Sequence, residues 1–117
     1  SPDYDSVQAL ENVGGDREVL LTVMEMFREQ GPLRLDAITR AVESRDAAAL
    51  EAAAHSLKGT ASALAMPALT ELARELETMG RDGEVSGAVA LLPGLREAME
   101  RALEQLPVAP PQAPPQG

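Results

Sequence analysis

The sequence predicts an all-α protein: an antiparallel up-and-down four-helix bundle with a short extra N-terminal helix. Three observations carry that expectation. Apolar residues recur at spacings of three and four along most of the chain, which places them on one face of a helix. The composition is rich in Ala, Leu, Glu and Arg, all good helix formers. Alternating β-branched runs bounded by hairpin turns, which would mark strands, are missing. With one Phe, one Tyr and no Trp, the core has to come from Leu, Val, Ile, Met and Ala.

A first helix is expected from about Asp5 to Asn12, stopped by Gly14 and Gly15. Asp16 then suits the N-cap of a second helix, because its carboxylate can accept from the free amides of the first turn. The stripe of that helix is Val19, Leu20, Val23, Met24, Phe27, Gly31, Leu35, Ile38 and Val42. Pro32 interrupts it, so either a kink or two helices meeting end to end is expected there.

Asp46 caps a third helix carrying Leu50, Ala53, Ala54, Leu57, Ala61 and Leu64. Met66 and Pro67 end it and begin a fourth, since proline suits a first helical turn and restrains the residue before it. The fourth buries Leu69, Leu72, Ala73, Leu76 and Met79, then stops between Gly80 and Gly83. A last helix from about Glu84 to Leu106 presents Val85, Val89, Leu92, Met99, Leu103 and Leu106, with Pro93 and Gly94 weakening its middle. From Pro107 to Gly117 there are five prolines in eleven residues, which excludes a helix and reads as an extended tail or linker. The expected organisation is therefore a helical domain over 1–106 and a proline-rich segment over 107–117.

Composition excludes several functions. Without cysteine there is no disulfide, thiolate metal site or thiol nucleophile, and one histidine cannot build a histidine-rich metal site. A net charge of −9 argues against nucleic acid or an anionic membrane surface as partner. No apolar run approaches the roughly 20 residues that span a bilayer, and no basic-then-apolar signal opens the chain. The expectation is a soluble, cytoplasmic monomer without membrane contact.

The functional signal is concentrated in Ala54-His55-Ser56-Leu57-Lys58-Gly59. It contains the only histidine and the only lysine, the other nine basic residues being arginine. Neutral imidazole is a good nucleophile, and lysine is a compact charge that can follow a mobile anion. Taking the direction of Leu50, Leu57, Ala61 and Leu64 as the core, His55 lies roughly 140° away, near the solvent side. Its neighbours on that arc are Ala48, Glu51, Ala52, Gly59 and Ser62, all small except Glu51. A glycine inside a helix costs about 1 kcal/mol relative to alanine, and either close approach of a partner or phosphate or tight helix packing would explain Gly59. Lys58 can bring its ammonium beside the imidazole and offset the charge of a phosphorylated ring. Glu51 on the same helix and Glu77 on the next are the candidates to fix the second ring nitrogen. Glu77 sits roughly 80° from the Leu69 direction, on a flank of its helix.

The hexapeptide, followed by Ala61, Leu64, Leu69, Leu72, Ala73, Leu76 and Glu77, resembles the histidine phosphotransfer (HPt) domains of bacterial multistep phosphorelays. Gly14-Gly15-Asp16, the stretch from Leu20 to Phe27, Pro32, and Ala41 to Leu50 extend the likeness over about residues 5–106. The resemblance implies that His55 is the phospho-accepting residue, through Nε2. Lys58 would neutralise the phosphoryl group and Gly59 would leave room for it. Glu77 falls where many members place a polar residue that hydrogen-bonds the imidazole.

It also implies a phosphotransfer protein with no ATP site, cofactor or metal of its own. Its partners would be response-regulator receiver domains, which supply the aspartyl phosphate and Mg2+, and a histidine kinase in the same or another chain. The chain lacks a glycine-rich phosphate loop and an acidic metal cluster, in agreement. One departure stands out. Members usually carry glycine where this chain has Ala65, so the turn over Ala65, Met66 and Pro67 is expected to differ from a left-handed cap. The competing reading is a non-catalytic helical docking or dimerisation module with an incidental exposed histidine.

Overall fold

The computed structural model describes residues 4–107. Helix α1 spans Ser6–Asn12, α2 Arg17–Glu43, α3 Ala47–Ala63 and α4 Pro67–Asp82. A short α5 (Val85–Ala88) and a 3-10 turn (Val89–Leu91) lead into α6 (Leu92–Gln105), and no strand occurs among the described residues. Helix α2 packs on α3, α3 on α4, α4 on α6, and α6 returns to α2, closing the bundle. Of the proline-rich stretch, all but Pro107 lies outside the described residues.

Local capping sets the helix starts. Asp16 accepts from the amides of Glu18 and Val19, Asp46 from Ala49, and Asp5 from Gln8. Pro67 opens α4 at its first position, where a missing amide costs nothing. Helix α2 runs through Pro32 without ending, so of the two outcomes expected there, two helices meeting end to end does not occur.

The last helix is the larger correction. It breaks at Val89–Leu91, one turn before Pro93. Proline has no amide for the carbonyl of Val89 four residues back, and its ring crowds that carbonyl. The amide of Leu92 bonds Val89 instead, in the tighter i→i+3 pattern of a 3-10 turn.

Phe27, Ile38, Leu50, Leu57, Leu64, Leu69, Leu76 and Leu95 are fully buried, each contributing on the order of 1.5–3 kcal/mol. Two expected core residues are not in the core. Val19 is 44% exposed in the first turn of α2, and Val89 is 57% exposed in the 3-10 turn, which rotates it outward.

Helices α1, α2, α3 and α4 end in the same way, each around a residue of positive φ (Gly14, Arg45, Ala65 and Gly83). At the end of α3 the amide of Ala65 bonds Ser62, and that of Met66 bonds Ala61. That pair of bonds is a Schellman cap, and Ala65 takes a left-handed φ of 53° to make it. The expected departure of this turn is therefore corrected: the left-handed cap forms without glycine. Buried Met66 anchors it, and the Ala65 carbonyl accepts from the amide of Asp5, while Asn12 donates to Ser62 and Ala63. These contacts seat α1 on the end of α3. Left-handed backbone costs an L-residue about 1–2 kcal/mol, so Ala65→Gly is expected to stabilise the fold by about 1 kcal/mol, read as a higher urea midpoint.

Candidate functional site

His55 lies in the middle of α3 with its side chain 68% exposed, in agreement with the 140° estimate. Its Nδ1 is 2.6 Å from Oε2 of Glu77 on α4. The other oxygen of Glu77, Oε1, is 2.6 Å from Nζ of Lys58. Arg81, one turn beyond Glu77, places Nη2 at 3.5 Å from Oε2 and directs Nε to Oε2 of Glu51 at 3.4 Å. One carboxylate thus gathers the imidazole and two cations.

Glu77 is 5% exposed, the single buried charged residue among those described. The flank assigned to it is therefore buried against α3. The Lys58 hydrogen bond holds its carboxyl below the ordinary value of 4.5; burial opposes this and the His55 hydrogen bond reinforces it. An ionised carboxylate only accepts, so Nδ1 must carry the proton, which leaves the lone pair on Nε2. Among the described residues Nε2 has no hydrogen-bond partner.

The sign of the pH dependence follows. With the folded value below the unfolded one, the Glu77 contribution is complete above about pH 4.5 and is lost as pH falls through the lower folded value. Urea midpoints measured at descending pH are expected to show this acid limb in the native chain and less of it in Glu77→Gln.

What brings Glu77 to His55 is a residue that the sequence reading treated only as a helix stop. Gly80 is buried inside α4, and a Cβ there would lie 2.6 Å from the amide nitrogen of Glu51 and 2.9 Å from the carbonyl of Ala47. Only glycine lets α4 approach the α3 backbone so closely. Gly80 is one turn after Glu77 and Glu51 one turn before His55, so this contact sets the spacing of the site. A glycine inside a helix was the available signal. Gly59 is the opposite case: it is exposed, and a Cβ would meet nothing within 4 Å.

His55, Lys58 and Glu77 come together and Gly59 borders them, whereas Glu51 is turned to Arg81 and does not orient the imidazole. Arg34 of α2, not singled out from the sequence, donates to Ser56 Oγ at 2.9 Å beside the histidine. No group of three His, Cys, Asp or Glu able to hold a metal ion occurs among the described residues.

An exposed imidazole with a free outward nitrogen, a buried carboxylate behind it and an ammonium alongside can carry one transferable phosphoryl group. A family model described as "Hpt domain" matches residues 22–105. The chain belongs to the Hpt family. It is a histidine phosphotransfer domain of phosphorelay signalling, a family that works with receiver domains and kinases. The Hpt domain shares its fold with the crystal structure of histidine-containing phosphotransfer protein B from Pseudomonas aeruginosa PAO1, with a TM-score of 0.81. The two are 24% identical over 91% of this chain and 92% of that one. No curated protein matches the chain. No helix of the described Hpt domain is long and apolar enough to cross a membrane.

Proposed function

We propose that Nε2 of His55 accepts a phosphoryl group from the aspartyl phosphate of one receiver domain and passes it to the aspartate of another response regulator. The observation that carries this reading is the 2.6 Å contact of Nδ1 with a buried carboxylate, behind a ring that is 68% exposed. The Nε2 lone pair attacks phosphorus, the bond to the receiver carboxylate breaks, and that carboxylate leaves with the electron pair. The proton stays on Nδ1, so the product is a phosphoimidazolium whose positive charge faces Glu77. The return step reverses the same bonds on the second receiver.

Each supporting residue then has a task. Glu77 fixes the tautomer and ring orientation and balances the charge of the ring. Lys58 keeps Glu77 ionised, and its ammonium has further donors for a phosphoryl oxygen. Gly59 gives the incoming receiver clearance. Mg2+ belongs to the receiver, whose residues complete the site, and this domain acts as a cytoplasmic monomer without an ATP or metal site of its own.

Incubation with a phosphorylated receiver and Mg2+ is expected to leave acid-labile, base-stable phosphate on the protein. Continued labelling of His55→Gln would overturn the reading. Gly59→Ala separates stability from function. With open space around the new methyl, it is expected to stabilise α3 by about 0.5–1 kcal/mol in urea denaturation while slowing transfer from the receiver.

A further inference from the structure

Arg34 of α2 reaches across to α3 and donates from Nε to Ser56 Oγ at 2.9 Å, next to His55 in the chain. That bond fixes a half-buried guanidinium and leaves both of its Nη groups unused. No carboxylate of the described residues lies within ion-pairing distance of Arg34. The other two cations at the site are engaged, Lys58 by Glu77 and Arg81 by Glu77 and Glu51. A guanidinium held at Nε presents its two Nη groups side by side, the geometry that grips a carboxylate through both oxygens.

The surroundings of Arg34 are open and apolar. An open hollow of about 420 Å³ beside it is otherwise lined by Ala49, Ala52, Ala53 and Ser56. Ala52 is one turn before His55, so the hollow adjoins the reactive ring. Arg34 and Ser56 also share a smaller hollow with Met26. Neither hollow is lined by an acidic residue, in a chain that has 19 of them and a net charge of −9. Helix α2 adds an apolar edge: Val19, Met26 and Leu33 are exposed and stand seven residues apart, on one face. They are three of the five large apolar side chains exposed among the described residues, which makes them a patch and not scatter. Ser56 lies about 100° round α3 from His55, so Arg34 meets a domain docked over the ring and not the phosphorus itself.

We propose that Arg34 is a specificity-determining residue: its two Nη groups take an aspartate or glutamate side chain of the docked receiver, whose apolar neighbours seat on Met26 and the alanine hollow. This inference rests on the proposed transfer between a receiver and His55. A net charge of −9 repels an acidic surface in general, so a receiver carboxylate is favoured only where a fixed cation meets it. Arg34 is the cation at this site with no carboxylate of its own. A receiver without that carboxylate would cover the guanidinium and leave it unpaired, which is the repulsive half of the selection.

The test follows the rate of His55 labelling against the concentration of a phosphorylated receiver that labels the native chain, with Mg2+. Arg34→Gln is expected to raise the half-saturating receiver concentration about tenfold and Arg34→Glu about 100-fold, with the rate at saturation within about twofold of native. Arg34→Lys, which keeps the charge and loses the fork, should fall between native and Arg34→Gln. The shift in Arg34→Gln should shrink as ionic strength rises. One Asp→Arg or Glu→Arg change on the receiver should restore labelling of Arg34→Glu, which identifies the carboxylate. Phosphoramidate, a small donor that hands its phosphoryl group to Nε2 as ammonia leaves, needs no receiver and should label every Arg34 variant at the native rate. An unshifted half-saturation in Arg34→Gln would overturn the proposal, as would failure of every such receiver change to restore labelling. An equal loss of phosphoramidate labelling would also overturn it, because Arg34 would then act on the His55 site and not on the receiver. Failure of every receiver to label the native chain would overturn the transfer reading, and this inference with it.

Discussion

Glu77→Gln is expected to slow phosphoryl acceptance by His55 by about 10- to 100-fold, the equivalent of losing a charge-assisted hydrogen bond of about 1.5–3 kcal/mol. The carboxylate presents one oxygen to Nδ1 of His55 and the other to Nζ of Lys58, both at 2.6 Å. A glutamine has a single acceptor oxygen. Turned to His55, it points its NH2 group at the Lys58 ammonium, donor against donor; turned to Lys58, it offers Nδ1–H no acceptor. In either rotamer the charge that faces the phosphoimidazolium is gone. Because His55 is the only histidine, its imidazole nitrogen resonances need no assignment. The native protein should show a single Nδ1–H tautomer and the variant a mixture. A labelling rate within twofold of the native value would show that the carboxylate does not set the nucleophile.

Gly80→Ala is expected to be the most disruptive Gly→Ala change among the described glycines that have ordinary helical φ. The new Cβ would fall 2.6 Å from the Glu51 nitrogen and 2.9 Å from both the Ala47 oxygen and the Glu51 Cα. These are backbone atoms of α3 and cannot rotate away, so α4 has to retreat. Overpacking of this kind costs about 1–3 kcal/mol, occasionally more, which urea denaturation would measure. The retreat begins one turn from Glu77, so the contact at 2.6 Å to His55 should lengthen past hydrogen-bonding range and the tautomer should become mixed, as in Glu77→Gln. Retention of both stability and a single tautomer would mean that the helices can separate at Gly80 without disturbing Glu77.

The two variants mark where the sequence could be read and where it could not. Asp16, Asp46 and Pro67 announce helix starts because capping is settled within four residues of chain. The exposure of His55 was legible for a similar reason: it depends only on 100° per residue relative to Leu50 and Leu57 on the same helix. The break before α6 was misplaced because the effect of Pro93 falls on the carbonyl four residues earlier. At Ala65 the residue type pointed away from a left-handed turn, but packing of Met66 and the bond to Asp5 outweigh a local penalty of about 1–2 kcal/mol.

The all-helical fold, the helix starts and the exposed grouping of His55, Lys58 and Gly59 on α3 all follow from interactions within one or two turns, and the order of residues specifies those directly. Which glutamate faces the imidazole does not follow from such interactions. Spacing left Glu51 and Glu77 both open, with only the family resemblance pointing to Glu77, and it is the packing of α4 on α3 that turns Glu77 to His55 and leaves Glu51 to Arg81. That choice rests on the distance and rotation between two helices, set where Gly80 meets the α3 backbone, and a contact between elements far apart in the chain leaves no period in the sequence to read.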